Sequence, residues 1–164
     1  MLIQETVKVL SDLIDTEQAL NDLIRTSTDR KRGFAEAAGK ATRSELKVLF
    51  QQHSADCAAA VVELQRLVSS IGGTPTSGGT VAGMGHRSWL RLKTAIGDTN
   101  VAVLDNMARA EDRAATAYAK ALTATLPPQV RSVLQLQHYG AVRSRNLIRD
   151  LRNSDKAKKE AVAS

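Results

Sequence analysis

Apolar residues recur every three or four positions through four long stretches of this chain, and clusters of glycine and proline cut the stretches apart. The clusters are Gly72-Gly73-Thr74-Pro75 with Ser77-Gly78-Gly79, then Gly97-Asp98, then Leu126-Pro127-Pro128. The clearest stripe runs Leu46, Phe50, His53, Cys57, Val61, Leu64, Val68 and Ile71, and predicts a helix over 43–71 capped by Thr42 or Ser44. Ahead of it, Leu20, Leu23, Ile24, Ser27, Lys31, Phe34 and Ala38 mark a helix ending near Gly39. A third, entered at Asp98 or Thr99, carries Val101, Leu104, Met107, Glu111, Ala115, Tyr118 and Leu122. The fourth has Pro128 in its first turn and carries Val130, Leu134, His138, Ala141, Arg145, Ile148 and Leu151. Aromatic residues make up only 3% of the 164 residues. That leaves little material for a sheet, so the expected fold class is all-α.

The links between the first two and the last two stretches are short. The middle link of about 26 residues is long enough to retrace a helix of roughly 40 Å. Short, long, short is the connectivity of a ferritin-like four-helix bundle with one crossover. The crossover is expected to carry a short extra helix from about Met84 to Ile96, packed through Trp89 and Leu92. The chain then divides into an N-terminal helical extension at 1–19, the bundle at 20–153 and a flexible basic tail at 154–164. Within the extension, Leu10-Ser-Asp-Leu-Ile-Asp-Thr16 echoes Leu20-Asn-Asp-Leu-Ile-Arg-Thr26. Ten residues fall about 80° short of a whole number of turns, so the two copies face different directions. The first is free for oligomer contacts, unless the echo is chance.

One cysteine, Cys57, excludes an intramolecular disulfide framework, and no signal-peptide pattern opens the sequence. A cytoplasmic setting is expected. No apolar run approaches the roughly 18 residues of a membrane span. The net charge of +6 is uneven: Glu5, Asp12, Asp15, Glu17 and Asp22 make the start acidic, whereas 143–159 is strongly basic. A basic helix can attract nucleic acid, though no aromatic residues are interleaved here to stack on bases. No nucleophile triad, phosphate loop or CxxC pair is present.

Several motifs resemble those of a bacterial ferritin-like family of four-helix-bundle proteins of unknown function. They are Leu20-Asn21-Asp22-Leu23-Ile24, Asp29, Gly33-Phe34, Gly72-Gly73-x-Pro75, His86-Arg87-x-Trp89 and Glu111-Asp112. The resemblance covers about residues 20–152 and implies the fold, not an activity. Its metal-ligand positions are degenerate here: Arg30-Lys31-Arg32 stands where acids are usual, Arg145 where a His is common, and Ala108 where another acid is common.

A carboxylate-bridged di-metal centre takes Glu from two helices and Glu-x-x-His from the other two. The weak candidates for metal ligands here are His53, Asp56, Glu111 and His138. The competing expectation is charge substitution, in which the cations Lys31 and Arg145 and the anions Asp56 and Glu111 neutralise one another in mid-bundle, Glu111 pairing with Lys31 or Arg145. Alternatively, Lys31 and Arg145 extend their charged ends outward to water. The function expected is therefore a non-enzymatic, stress-associated or interaction protein that forms a homo-oligomer and has no cofactor. The alternatives are an oxidoreductase or storage protein with a weak site for iron or another divalent metal, and a nucleic-acid-associated basic protein.

Overall fold

The structure, a computed structural model, describes residues 1–80 and 99–164. It contains α1 (Leu2–Lys40), α2 (Ser44–Ser70), α3 (Thr99–Ala121) and α4 (Pro128–Ala163), and among the described residues there is no strand. The expected short helix at Met84–Ile96, with His86, Arg87, Trp89 and Leu92, lies outside the described residues.

Through the buried face of every helix runs a line of inward positions spaced alternately three and four residues apart. On α1 the inward positions are Thr16, Leu20, Leu23, Ser27, Arg30, Phe34 and Ala37; on α2 they are Leu46, Phe50, His53, Cys57, Ala60, Leu64 and Leu67. On α3 they are Asn100, Leu104, Met107, Glu111, Ala114, Tyr118 and Ala121; on α4, Val130, Leu134, Gln137, Ala141, Ser144, Ile148, Leu151 and Asp155. This is a period of 3.5, the spacing that keeps one seam facing its neighbours when helices wind around each other. The apolar part of the seams forms two clusters. One surrounds Phe34, Phe50, Met107 and Ile148; the other surrounds Leu20, Ile24, Leu64, Tyr118 and Leu134. Between them the seams turn polar, at Arg30, His53, Glu111 and Ser144.

The links fix helix direction. Asn100 at the start of α3 accepts the Thr42 backbone N–H at 2.8 Å and donates to Thr42 Oγ1 at 2.7 Å. Thr42 is thereby engaged with α3, and α2 starts at Arg43 with no side-chain cap where Thr42 or Ser44 was expected to supply one. Arg43 instead donates to both oxygens of Asp155 on α4, at 2.6 and 2.7 Å. The end of α1 and the starts of α2 and α3 thus share one end of the bundle, so α1 rises, α2 and α3 descend and α4 rises. This is the one-crossover arrangement. At the other end, Gly72 at φ 80° closes α2, with Gly73 N–H donating to Val68 O and Gly72 N–H to Ser69 O. Only glycine takes that φ without strain, and the paired bonds satisfy the last carbonyls of the helix. The chain then runs back along α1, held by Glu17 on the Thr74 N–H, Asn21 on Thr74 O and the Thr76 N–H, and Asp29 on Thr80.

The two ends of the chain are both helical. Residues 2–19 continue without a break into the first bundle helix, so the N-terminal helical extension is an extension of α1. The basic tail after Asn153 is helical to Ala163, with Asp155 buried against Arg43. The acidic start and basic end are also held at opposite ends of the bundle, about 40 Å apart along α2, so they do not meet within one chain.

Removing the Asn100 bridge in Asn100→Ala deletes two partly buried hydrogen bonds worth about 1–2 kcal/mol together. The expected result is a melting temperature lower by roughly 3–6 °C in a thermal scan followed by circular dichroism.

Candidate functional site

Glu111 sits on the inward seam of α3 and is fully buried. Its two oxygens are taken by one guanidinium: Arg30 Nε donates to Oε1 at 2.7 Å and Nη2 to Oε2 at 2.8 Å. The fork matches the carboxylate plane, a geometry an ammonium cannot reproduce. Burial alone would lower the Arg30 pKa, but the hydrogen bonds and charge of Glu111 outweigh it and hold the guanidinium protonated more firmly than usual. Gly33, one turn further along α1, faces Met107 of α3, which stands 3.6 Å from where a Cβ would be, an ordinary packing distance.

The partner of Glu111 is therefore neither Lys31 nor Arg145. Lys31 is exposed, and only its backbone carbonyl is used, accepting from Ser54 Oγ at 2.9 Å. Arg145 is half-buried at the edge of α4, 3.8 Å from Asp112. Asp56 is exposed and accepts from Gln52 at 2.8 Å. One turn from Ser27 falls between Arg30 and Lys31. From Ser27, a step of three reaches Arg30 and keeps to the wound seam, whereas a step of four reaches Lys31 and leaves it. Arg145 and His138 are each one position off the seam, which passes through Ser144 and Gln137.

Around the pair lies a polar layer. Tyr118 Oη donates to Gln137 Oε1 at 2.8 Å, which makes the Ser27 hydroxyl the donor in its 3.0 Å bond to Tyr118. Gln137 Nε2 in turn donates to Glu63 at 2.7 Å, so one chain of hydrogen bonds crosses α1, α3, α4 and α2. Burial raises the Tyr118 pKa, against the pull of Arg30. His53 lies 5.0 Å from the Phe34 ring, and its buried Nε2 has no hydrogen-bond partner, nor does Ser144 Oγ. Burial lowers the His53 pKa, with Glu111 opposing. Cys57 beside them is a buried thiol pushed up to about 11 by burial, with Arg30 opposing. Arg30, His53, Cys57, Tyr118 and Ser144 form the inner wall of a cleft of about 660 Å³ between α2 and α4.

Among the described residues no three His, Cys, Asp or Glu side chains come together in a way that could hold a metal ion. The donor chemistry agrees: both oxygens of Glu111 are occupied by a fixed cation, Asp56 is exposed and engaged by Gln52, and His138 sits half-buried off the seam. These residues do not fit a carboxylate-bridged di-metal centre. Sequence reasoning missed Arg30 and the Ser27–Tyr118–Gln137 chain. A tyrosine in an apolar stripe was the available signal, because a buried hydroxyl requires a partner.

The family described as "Domain of unknown function (DUF2383)" matches residues 15–124. No curated protein matches the chain. Among solved structures, a two-domain protein from Anabaena variabilis containing DJ-1/ThiJ/PfpI-like and ferritin-like domains aligns at TM-score 0.70 and 10% identity, over 88% of this chain. The chain spans 38% of that protein's length. A ferritin-like, diiron-carboxylate protein from Bacillus anthracis aligns at TM-score 0.65 and 14% identity, over 86% of this chain and 97% of its own. At such identities the likeness is one of fold, an all-α ferritin-like bundle.

Glu111→Ala strands the Arg30 charge in the interior and should cost about 3–5 kcal/mol, read as a lower urea midpoint. Arg30→Met with Glu111→Leu, which removes both charges, should recover most of that loss. His53 gives a pH signature. Its folded pKa lies below the unfolded value of 6.5, so on acidification the unfolded chain takes up the proton first. Its contribution to stability is complete above that value and is lost as pH falls toward the folded pKa. His53→Gln should flatten the acid-side slope of stability against pH, measured by urea unfolding across pH 4.5–8.

Proposed function

The chain belongs to the DUF2383 family, and we propose that it works as a ferritin-like bundle without a di-iron centre, a non-enzymatic interaction protein of the stress-associated kind. The observation that carries this reading is the Arg30 fork on Glu111. A guanidinium in the polar layer occupies the carboxylate that a metal would use, and its charge repels a divalent cation at close range in a medium of low dielectric. The neutral pair and the hydrogen-bond chain from Ser27 to Glu63 give the interior a structural task, holding four helices in one register.

A nucleic-acid role has less support. Part of the basic charge of α4 turns toward α3: Arg149 meets Asp112 at 2.7 Å, and Arg152 and Lys156 meet Asp105 at 3.3 and 3.4 Å. Charges neutralised within the bundle release few counterions from a phosphate backbone. No helix of the described residues is long and apolar enough to cross a membrane.

The second reading, a weak single-metal site, draws on His53, whose buried Nε2 has no hydrogen-bond partner and whose charge interacts with Glu111.

Purified protein incubated with ferrous iron in air should oxidise it no faster than buffer and retain only substoichiometric iron after desalting, as read by elemental analysis. Stoichiometric iron that is lost in Glu111→Gln would overturn the proposal. One divalent ion per chain, requiring both His53 and Glu111, would establish the second reading instead.

A further inference from the structure

Among the described residues, two apolar surfaces stand without a partner. The first is the projecting start of α1, where Leu2, Ile3, Val7, Val9, Leu10 and Ile14 are all more than half exposed. The second is the outer lip of the α2–α4 cleft, where Leu136 is 69% and Tyr139 61% exposed, beside Gly140 and Leu147. At roughly 100–150 Å² for each large side chain the two together expose on the order of 1,000 Å² per chain, enough for the ~800 Å² per partner of a stable interface.

The spacing 3, 7, 10, 14 on α1 is itself a three-four seam. Moreover, Leu10-x-x-Leu13-Ile14 repeats the pattern of Leu20-x-x-Leu23-Ile24. The second copy is completely buried in the chain's own bundle, with Leu20 and Ile24 at 0% exposure. The first offers the same knobs to a groove outside the chain.

We propose that two copies of this chain form a reciprocal dimer, the first fifteen residues of each α1 lying along the outer lip of the partner's α2–α4 cleft. Three features select this occupant. Length fits: residues 2–14 project about 18 Å beyond the bundle, and Leu136 to Gly140 lie about 12–18 Å from the start of α4 at 1.5 Å per residue. Two chains placed base to base and antiparallel therefore bring Val7 about level with Leu136 and Ile3 about level with Tyr139. Charge fits: an acidic segment with Glu5, Asp12 and Asp15 against one Lys8 meets the part of α4, residues 128–143, that carries no acid and ends at Arg143, 5.8 Å above the Tyr139 ring. Pairing the two α1 segments with each other would instead bring like charges together. Shape fits: Gly140 leaves a flat place where a helix can approach closely. The proposal names the partner for the interaction role inferred above, yet it is read by assembly state, independently of metal content.

Light scattering after size exclusion on the full chain, over low to high micromolar concentrations, should give the mass of two chains. Leu10→Asp and Gly140→Leu should each convert it to the mass of one. Both changes leave the fold intact: Leu10 is exposed, and a side chain at 140 meets nothing within 4 Å at its Cβ. Unaltered far-ultraviolet circular dichroism checks this, and Leu136→Glu provides a second groove variant. A monomeric wild type, or an assembly larger than a dimer, overturns the proposal. So does a dimer broken by Leu10→Asp but not by either groove variant, which would mean that the α1 segments pair with each other.

Discussion

The contact between Arg30 and Glu111 governs the middle of this protein because two buried charges have no alternative partner there. Four helices deliver their inward residues to the same level, and at that level the seams carry a cation, an anion, an imidazole and a hydroxyl in place of leucine. A carboxylate with no exposure would be intolerable alone. Forked by a guanidinium it becomes a neutral, directional strut between α1 and α3, and the Ser27–Tyr118–Gln137–Glu63 chain extends that strut to the other two helices. Apolar contacts supply most of the bundle's cohesion and would tolerate a slip of one turn. The polar layer does not, because a slip would leave charges and hydroxyls unmatched.

The same layer decides what chemistry the scaffold supports. A ferritin-like bundle is suited to metals because helices can aim several carboxylates and imidazoles at one point. Here the point is filled by side chains of opposite charge, and His53 beside it is kept neutral by burial. The space left over is the cleft between α2 and α4, whose inner wall is polar and whose outer lip is apolar. That division suits the groove to holding a helix edge more than to surrounding a substrate.

Helix number, helix order and the long crossover were legible in the sequence, since apolar repeats and glycine-proline clusters act locally. The position of Glu111 on an inward face was legible too. Its partner was not, and the reason is physical. One turn from Ser27 lands between Arg30 and Lys31 whether the repeat is 3.6 or 3.5 residues, so periodicity does not choose between them; the packing of α1 against α3 does, by placing Arg30 on Glu111. A single position likewise separates His138 from Gln137 and Arg145 from Ser144. Capping at Thr42 was misjudged for a different reason, because Asn100, distant in sequence, claims that residue.

Cys57 has a consequence of a practical kind. It is the chain's one thiol, packed into the interior with a proton held to about pH 11. Since the deprotonated form is the reactive one, alkylating reagents and peroxides encounter an inert sulfur as long as the helices stay closed. Labelling through the α2–α4 cleft is slowed by this proton and by burial, and opening of the bundle speeds it, so its rate serves as an intrinsic clock for how often the interior breathes.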